Sequence, residues 1–305
     1  MIPRDSSSTG GGDPGDWRAN ASPEDLILEG WSQGFLVGSL IIMAAITIAN
    51  MRRRVLLHKL ILLEQLMAMC HGTFCFMHFK GYGWYLSGTA TLLYLSWIVH
   101  NLVAWMKMKP FFIDQCGSTF KPQTGIWIRN IYLSTLALTV PVNVFQIFNN
   151  FRFFNNLDSV LYTAVRPYEP LIRDPWWVFT CLMLFHVIRR SYDTGFVELI
   201  RKSPRFSILL AAILLSMSFT AVDIVASIHN FIGSTDGINP WWKLSLVFKC
   251  LTDTIMLDDF KTELRKLGII RIQKQEKRRK SFALDDDDDD FSRDLEFGAA
   301  PAAAP

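Results

Sequence analysis

Seven apolar blocks follow one another along the chain, separated by polar, Pro- or Gly-bearing stretches. They run from about Ser32 to Ala49, Val55 to Met77, Trp84 to Trp105, Ile126 to Phe148, Trp176 to Ile188, Phe206 to Ile228 and Trp241 to Leu257. Most have the roughly 17–25 residues needed to cross a ~30 Å hydrocarbon core as a helix. A helix satisfies its own backbone hydrogen bonds, which lipid cannot do, so each block predicts a transmembrane helix. The fifth is short and spans only if Trp176, Trp177 and Arg189 sit in the interfaces. Pro141 lies inside the fourth, where neighbouring helices can re-satisfy the freed carbonyl. The expected fold is therefore all-α, a polytopic membrane helical bundle with seven transmembrane helices over residues 32–258.

The flanks differ in kind. Residues 1–31 are polar and rich in Gly, Ser and Asp, with no cleavable signal peptide, and read as a disordered extracytosolic segment. Residues 259–272 carry Phe260, Leu264, Leu267 and Ile270 among basic residues, the spacing of an amphipathic interfacial helix. Residues 273–305 hold the basic run Lys277–Lys280, six Asp from Asp285 to Asp290 and an Ala/Pro end, and read as a disordered cytosolic tail. The longest internal loop is expected from Asn149 to Pro175.

Charge sets the orientation. If the loop holding Arg52, Arg53 and Arg54 is inside, the inner segments hold 22 Lys and Arg against 6 in the outer ones. The positive-inside rule then gives N-out and C-in. In that orientation Asn20-Ala21-Ser22 is a glycosylation sequon on the outer side, at Asn20. Ser281, after Arg278-Arg279-Lys280, is a basophilic phosphorylation candidate in the cytosol. The same basic run also suits anionic lipid.

Composition adds exclusions. Half of the 305 residues are apolar, with a mean hydropathy of +0.21, and ten Trp suit lipid–water interfaces. A net charge of +3 argues for no nucleic-acid partner. Cys70, Cys75, Cys116, Cys181 and Cys250 show no metal-ligand spacing and read as small apolar helix residues. The expected partners are the lipid bilayer of a plasma or internal membrane, a small apolar ligand or substrate, and a cytosolic signalling protein. No cofactor is expected.

Ionisable residues inside the blocks carry the functional candidates, because an intramembrane charge is costly and turns to the bundle interior. Glu64 and His71 share one helix face. His100 lies near the inner end of the third block and Asp223 deep in the sixth. Lys249 and Asp253 are four residues apart and can pair within one helix. A polar network of Glu64, Asp223, Lys249 and Asp253 follows, balanced in charge only if further partners exist. It serves either interhelical bonding or ligand contact. In the outer loop, Arg152 and Arg166 offer stacking and hydrogen bonds to a cap or a ligand. Glu64 and Asp223 are the catalytic candidates if a buried, neutral carboxylic acid acts in an aromatic cavity. No metal is expected, since His71 lies toward the outer half while His100 and His186 lie toward the inner. A retinal Schiff base on Lys249 is disfavoured by the absence of any carboxylate between Tyr85 and Trp105.

Several stretches resemble a group of filamentous-fungal integral membrane proteins. They are Phe145–Asn156, Val165–Leu171, Asp174–Trp177, Thr235–Pro240 and Leu257–Lys261, within a likeness covering about residues 30–270. The resemblance implies membrane class and source, without a mechanism. The topology is also similar to that of G-protein-coupled receptors. Their motifs are missing: the third block ends Ala104-Trp105-Met106-Lys107, and the seventh has no Asn-Pro-x-x-Tyr. The expected function is a sensor or receptor-like protein. The alternative is a membrane enzyme acting on a terpenoid- or lipid-like molecule in fungal secondary metabolism. A transporter is disfavoured by the odd helix number and the lack of internal repeats.

Overall fold

The computed structural model describes residues 16–76, 82–113, 122–157, 160–191, 200–201, 204–228 and 238–255. The amphipathic segment 259–272, the tail and Ser281 lie outside the described residues. Among these residues the chain is all-helical, with no strand. A short α1 (Trp17–Asn20) precedes α2 (Pro23–Asn50), α3 (Leu56–Gly72), α4 (Tyr82–Ile113) and α5 (Pro122–Phe154). The connection after α5 holds α6 (Val160–Val165), a 3-10 turn at Arg166–Tyr168 and α7 (Glu169–Arg173). Then come α8 (Pro175–Ser191), α9 (Pro204–Ile228) and α10 (Trp241–Ile255).

Four helices are long and apolar enough to cross a membrane by length and composition: α2, α4 up to Lys109, α5 from Gln123, and α9. The helices α3 and α8 have 17 residues each and the described part of α10 has 15. At 1.5 Å per residue these three fall short of ~30 Å.

Two boundaries differ from the apolar pattern. The helix expected from Ser32 begins at Pro23, so residues 16–31 are largely helical, not a disordered segment. The reason is local. Ser22 caps the helix, its hydroxyl accepting from the Asp25 amide while the Ser22 amide donates to the Asp25 carboxylate, and Pro23 occupies the first turn. At the other end of the bundle's fourth block, α5 continues past Phe148 and takes in Asn149 to Phe154, residues expected in a loop. Asn155 donates back to the Phe151 carbonyl, and Asn156 ends the run at φ 57°, the left-handed conformation Asn tolerates.

Helix α4 is central, with 61% of its most apolar 18-residue stretch buried, and packs against α3, α5 and α8. Helix α5 is peripheral, with 28% of the corresponding stretch buried, and turns Trp127, Leu138 and Phe148 outward. So broad an apolar exterior suits lipid better than water. The bundle closes through α10, which packs between α9 and α2, while α2 packs on α3. Leu36, Leu40, Ala68, Leu93, Trp97 and Leu246 fill the core where α2, α3, α4 and α10 meet. Glycine sets the α4–α5 distance at both ends. A Cβ on Gly83 would lie 2.2 Å from the Phe154 carbonyl oxygen, and one on Gly125 2.1 Å from that of Phe112.

Candidate functional site

The chain reverses direction from helix to helix, so the start of α2, the end of α3, the start of α4, the end of α5, the end of α9 and the start of α10 share one end of the bundle. Between them is a cavity with about 70 Å³ of free space. At roughly 10–15 Å³ per water, that holds a handful of waters or a small ligand. Its walls are aromatic, with Phe74, Tyr94, Trp97, Phe154, Tyr162 and Trp242, and α7 with its neighbouring turn supplies Arg166, Glu169 and Arg173.

The charged groups of this wall are held in pairs. Glu29 of α2 meets Lys243 of α10, which also donates to Ser32 at 3.1 Å. Gln33, one turn on, donates to the other Glu29 oxygen at 2.9 Å. Arg166 reaches Tyr162 Oη at 2.9 Å and Glu169 at 3.6 Å. Arg173 binds Asp174 through Nε and Nη2, binds Asp223 of α9 at 2.5 Å, and lies 4.9 Å over the Trp97 ring. Asp223 also accepts from Asn239 at 2.7 Å. Behind them, Lys249 of α10 donates to Asp174 at 2.6 Å. Burial opposes ionisation of Asp174, yet Arg173 and Lys249 outweigh it and hold the carboxyl well below the usual carboxylate range.

Among the described residues, three side chains of the wall keep a buried polar atom without a partner: Gln33 Oε1, Asn150 Oδ1 and Trp242 Nε1. The Gln33 amide is oriented by its bond to Glu29, which leaves the carbonyl oxygen as the orphan. Each such group costs about 1–3 kcal/mol unless something bonds to it.

A second cluster lies deeper. His100 Nδ1 of α4 stands 2.8 Å from Glu64 Oε1 of α3 and 3.2 Å from Asp253 Oδ2 of α10. Lys107, two turns along α4, binds the other Asp253 oxygen. Cys250 donates to Glu64 at 3.3 Å. The donor atoms of Glu64, His100 and Asp253 lie within 4.8 Å of one another, as a metal would need. Lys107 already pairs with one of the two carboxylates, Asp253, and the group also serves as a polar node joining α3, α4 and α10. A gap of about 10 Å³, room for one water, separates His100 from Arg173, Asp174 and Lys249.

The sequence candidates thus divide between two places. Asp223 and Arg166 line the cavity, as does His71, whose ring packs on Phe74 and lies 3.4 Å from the Thr89 hydroxyl. Glu64, His100 and Asp253 form the deeper cluster. Glu64 and Asp223, the two catalytic candidates, do not meet. Lys249 and Asp253 do not pair with each other: the first takes Asp174 and the second Lys107 and His100. Arg152 lies 5.5 Å over the Phe148 ring, outside the cavity wall. His186 is exposed on α8. Asn20 closes α1, and the sequon's Ser22 is the cap of α2.

Glu29, Lys243, Lys107, Glu169, Arg173 and Asp174 were not among the sequence candidates. A usable signal existed for Glu29: Ser22-Pro23-Glu24-Asp25 has the form of a helix start, which places Glu29 and Gln33 four apart on one face. The Arg173-Asp174 pair reads as an ordinary loop dipeptide, and only its burial reveals it. No family model matches the chain, and no curated protein or solved structure matches it.

Proposed function

We propose that this is a seven-helix membrane protein of sensor type, N-terminus outside and C-terminus in the cytosol, that takes a small, largely apolar molecule between α2, α4, α7, α9 and α10. The observation that carries the reading is the aromatic cavity with its unpartnered Gln33, Asn150 and Trp242 atoms. A pocket of this make-up, apolar with a few convergent polar groups, is the usual form of a ligand site. The charge bias along the chain supports the orientation and puts the cavity at the outer end. The Arg173–Asp174–Lys249 chain and the His100 node support a route by which occupancy could alter the packing of α10 toward the cytosolic end.

A second reading, an enzyme acting on an apolar molecule of fungal secondary metabolism, is favoured by the Glu29 and Asp223 carboxylates in the aromatic wall. It is weakened by their bonding. Asp223 accepts from Arg173 and Asn239 with its two oxygens, which makes it an anchor for α7. Metabolite profiles of a deletion strain beside an Asp223→Asn strain at normal protein level separate the two. Unchanged metabolites with altered growth or development is the expected result. Loss of one metabolite with its precursor accumulating in both strains would overturn the sensor reading for the enzyme.

A further inference from the structure

The cavity wall and the groups directly behind it contain four carboxylates, Glu29, Glu169, Asp174 and Asp223, and four cations, Arg166, Arg173, Lys243 and Lys249. Each carboxylate lies against at least one of those cations, and each cation against at least one carboxylate. With His71 neutral the site carries no net charge. A charged guest entering such a place would lose its water and find no free counter-charge, which is a large penalty at low dielectric. An uncharged guest meets no such penalty. What the wall leaves unsatisfied is two amide oxygens, on Gln33 and Asn150, and one indole N–H, on Trp242, inside a ring of aromatic faces.

We infer that the cavity selects an uncharged, largely apolar molecule bearing at least one hydroxyl or N–H donor, and rejects organic anions and cations through the charge balance of its walls. The inference rests on the reading of the cavity as a ligand site. Selectivity here is electrostatic in origin, so it must change sign-specifically when one wall charge is removed.

The test needs no knowledge of the ligand. Ser227 lines the cavity and is nearly isosteric with cysteine, so Ser227→Cys places a thiol there, with Ala90→Cys as a second position on α4. The full chain in lipid nanodiscs is treated with methyl methanethiosulfonate (neutral), its sulfonatoethyl analogue (anionic) and its trimethylammonium-ethyl analogue (cationic). Peptide-resolved mass spectrometry reads the introduced thiol apart from the native cysteines. Rates are normalised to each reagent's rate with a free thiol. The expected result is modification by the neutral reagent with both charged ones at least tenfold slower. Adding Glu169→Gln, which leaves Arg166 without its carboxylate, should then raise the anionic rate severalfold and leave the cationic rate low. Equal normalised rates for all three, or a rise in both charged rates in the Glu169→Gln background, would overturn the charge-balance inference while keeping the cavity accessible. No modification by any reagent at either position would instead overturn the ligand-site reading and the inference with it.

Discussion

The two polar clusters of the bundle are built from the same residue types but to different designs. At the cavity each carboxylate has a full cation beside it, and Arg173 alone joins Asp174, Asp223 and the Trp97 face. At the deeper node Glu64 and Asp253 share one imidazole, with a single ammonium, Lys107, beside Asp253. Both ends keep unpartnered polar atoms, Glu64 Oε2, His100 Nε2 and Asp253 Oδ2 at the node among them, but the cavity end has free space beside its own, whereas the node has room for about one water at its edge. In the proposed reading, a site that accepts a guest keeps its charges paired among themselves, so that none depends on the guest. A node that only joins helices can share partners, because its groups never part.

That contrast can be broken by experiment. Arg173→Met should have the largest effect, about 3–5 kcal/mol of stability, since it leaves buried Asp223 without a cation and takes one of two cations from Asp174. Denaturant unfolding of the purified protein in micelles measures it, and adding Asp223→Leu should recover part of the loss. Lys107→Met should cost less, about 2–3 kcal/mol, because His100 remains against Asp253. Equal losses for the two variants would remove the asymmetry between the ends. Gly83→Ala, which drives a Cβ into the Phe154 carbonyl beside the cavity, should cost about 1–2 kcal/mol in the same assay. The smallest change belongs to Ser22→Ala, about 1 kcal/mol, through loss of the cap that starts α2 above Glu29. Hydrogen exchange confined to residues 23–30 would locate it there, and protection unchanged in that stretch would deny the cap its role.

Periodicity and apolar length made the helices legible, and misread two ends for identifiable reasons. The start of α2 carries Glu24, Asp25 and Glu29 around Leu26–Leu28, so a hydropathy reading stops short of it, although its capping sequence is local and readable. Asn149–Phe154 looks like a loop by composition, yet α5 continues because Asn149 and Asn150 are buried against the bundle and the terminating left-handed turn falls at Asn156. The site was half legible. The cost of an intramembrane charge identified Glu64, His100, Asp223, Lys249 and Asp253 as inward-facing. Which of them meet was not readable, because each partner lies far along the chain on another element: Asp223 meets Arg173, 50 residues away, and Lys249 meets Asp174, 75 away.

By itself, the sequence determined an all-helical chain with spans of membrane length, and a set of buried charges that had to find partners. Those properties follow from helix rise, backbone hydrogen bonding and the cost of burying charge, all of which act locally. Only the tertiary structure decided that the charges fall into a balanced cavity cluster and a shared, deeper node. Pairing depends on the azimuth and depth at which each helix presents its side chains, and these are set by packing, down to the close passage of Gly83 against Phe154 and of Gly125 against Phe112.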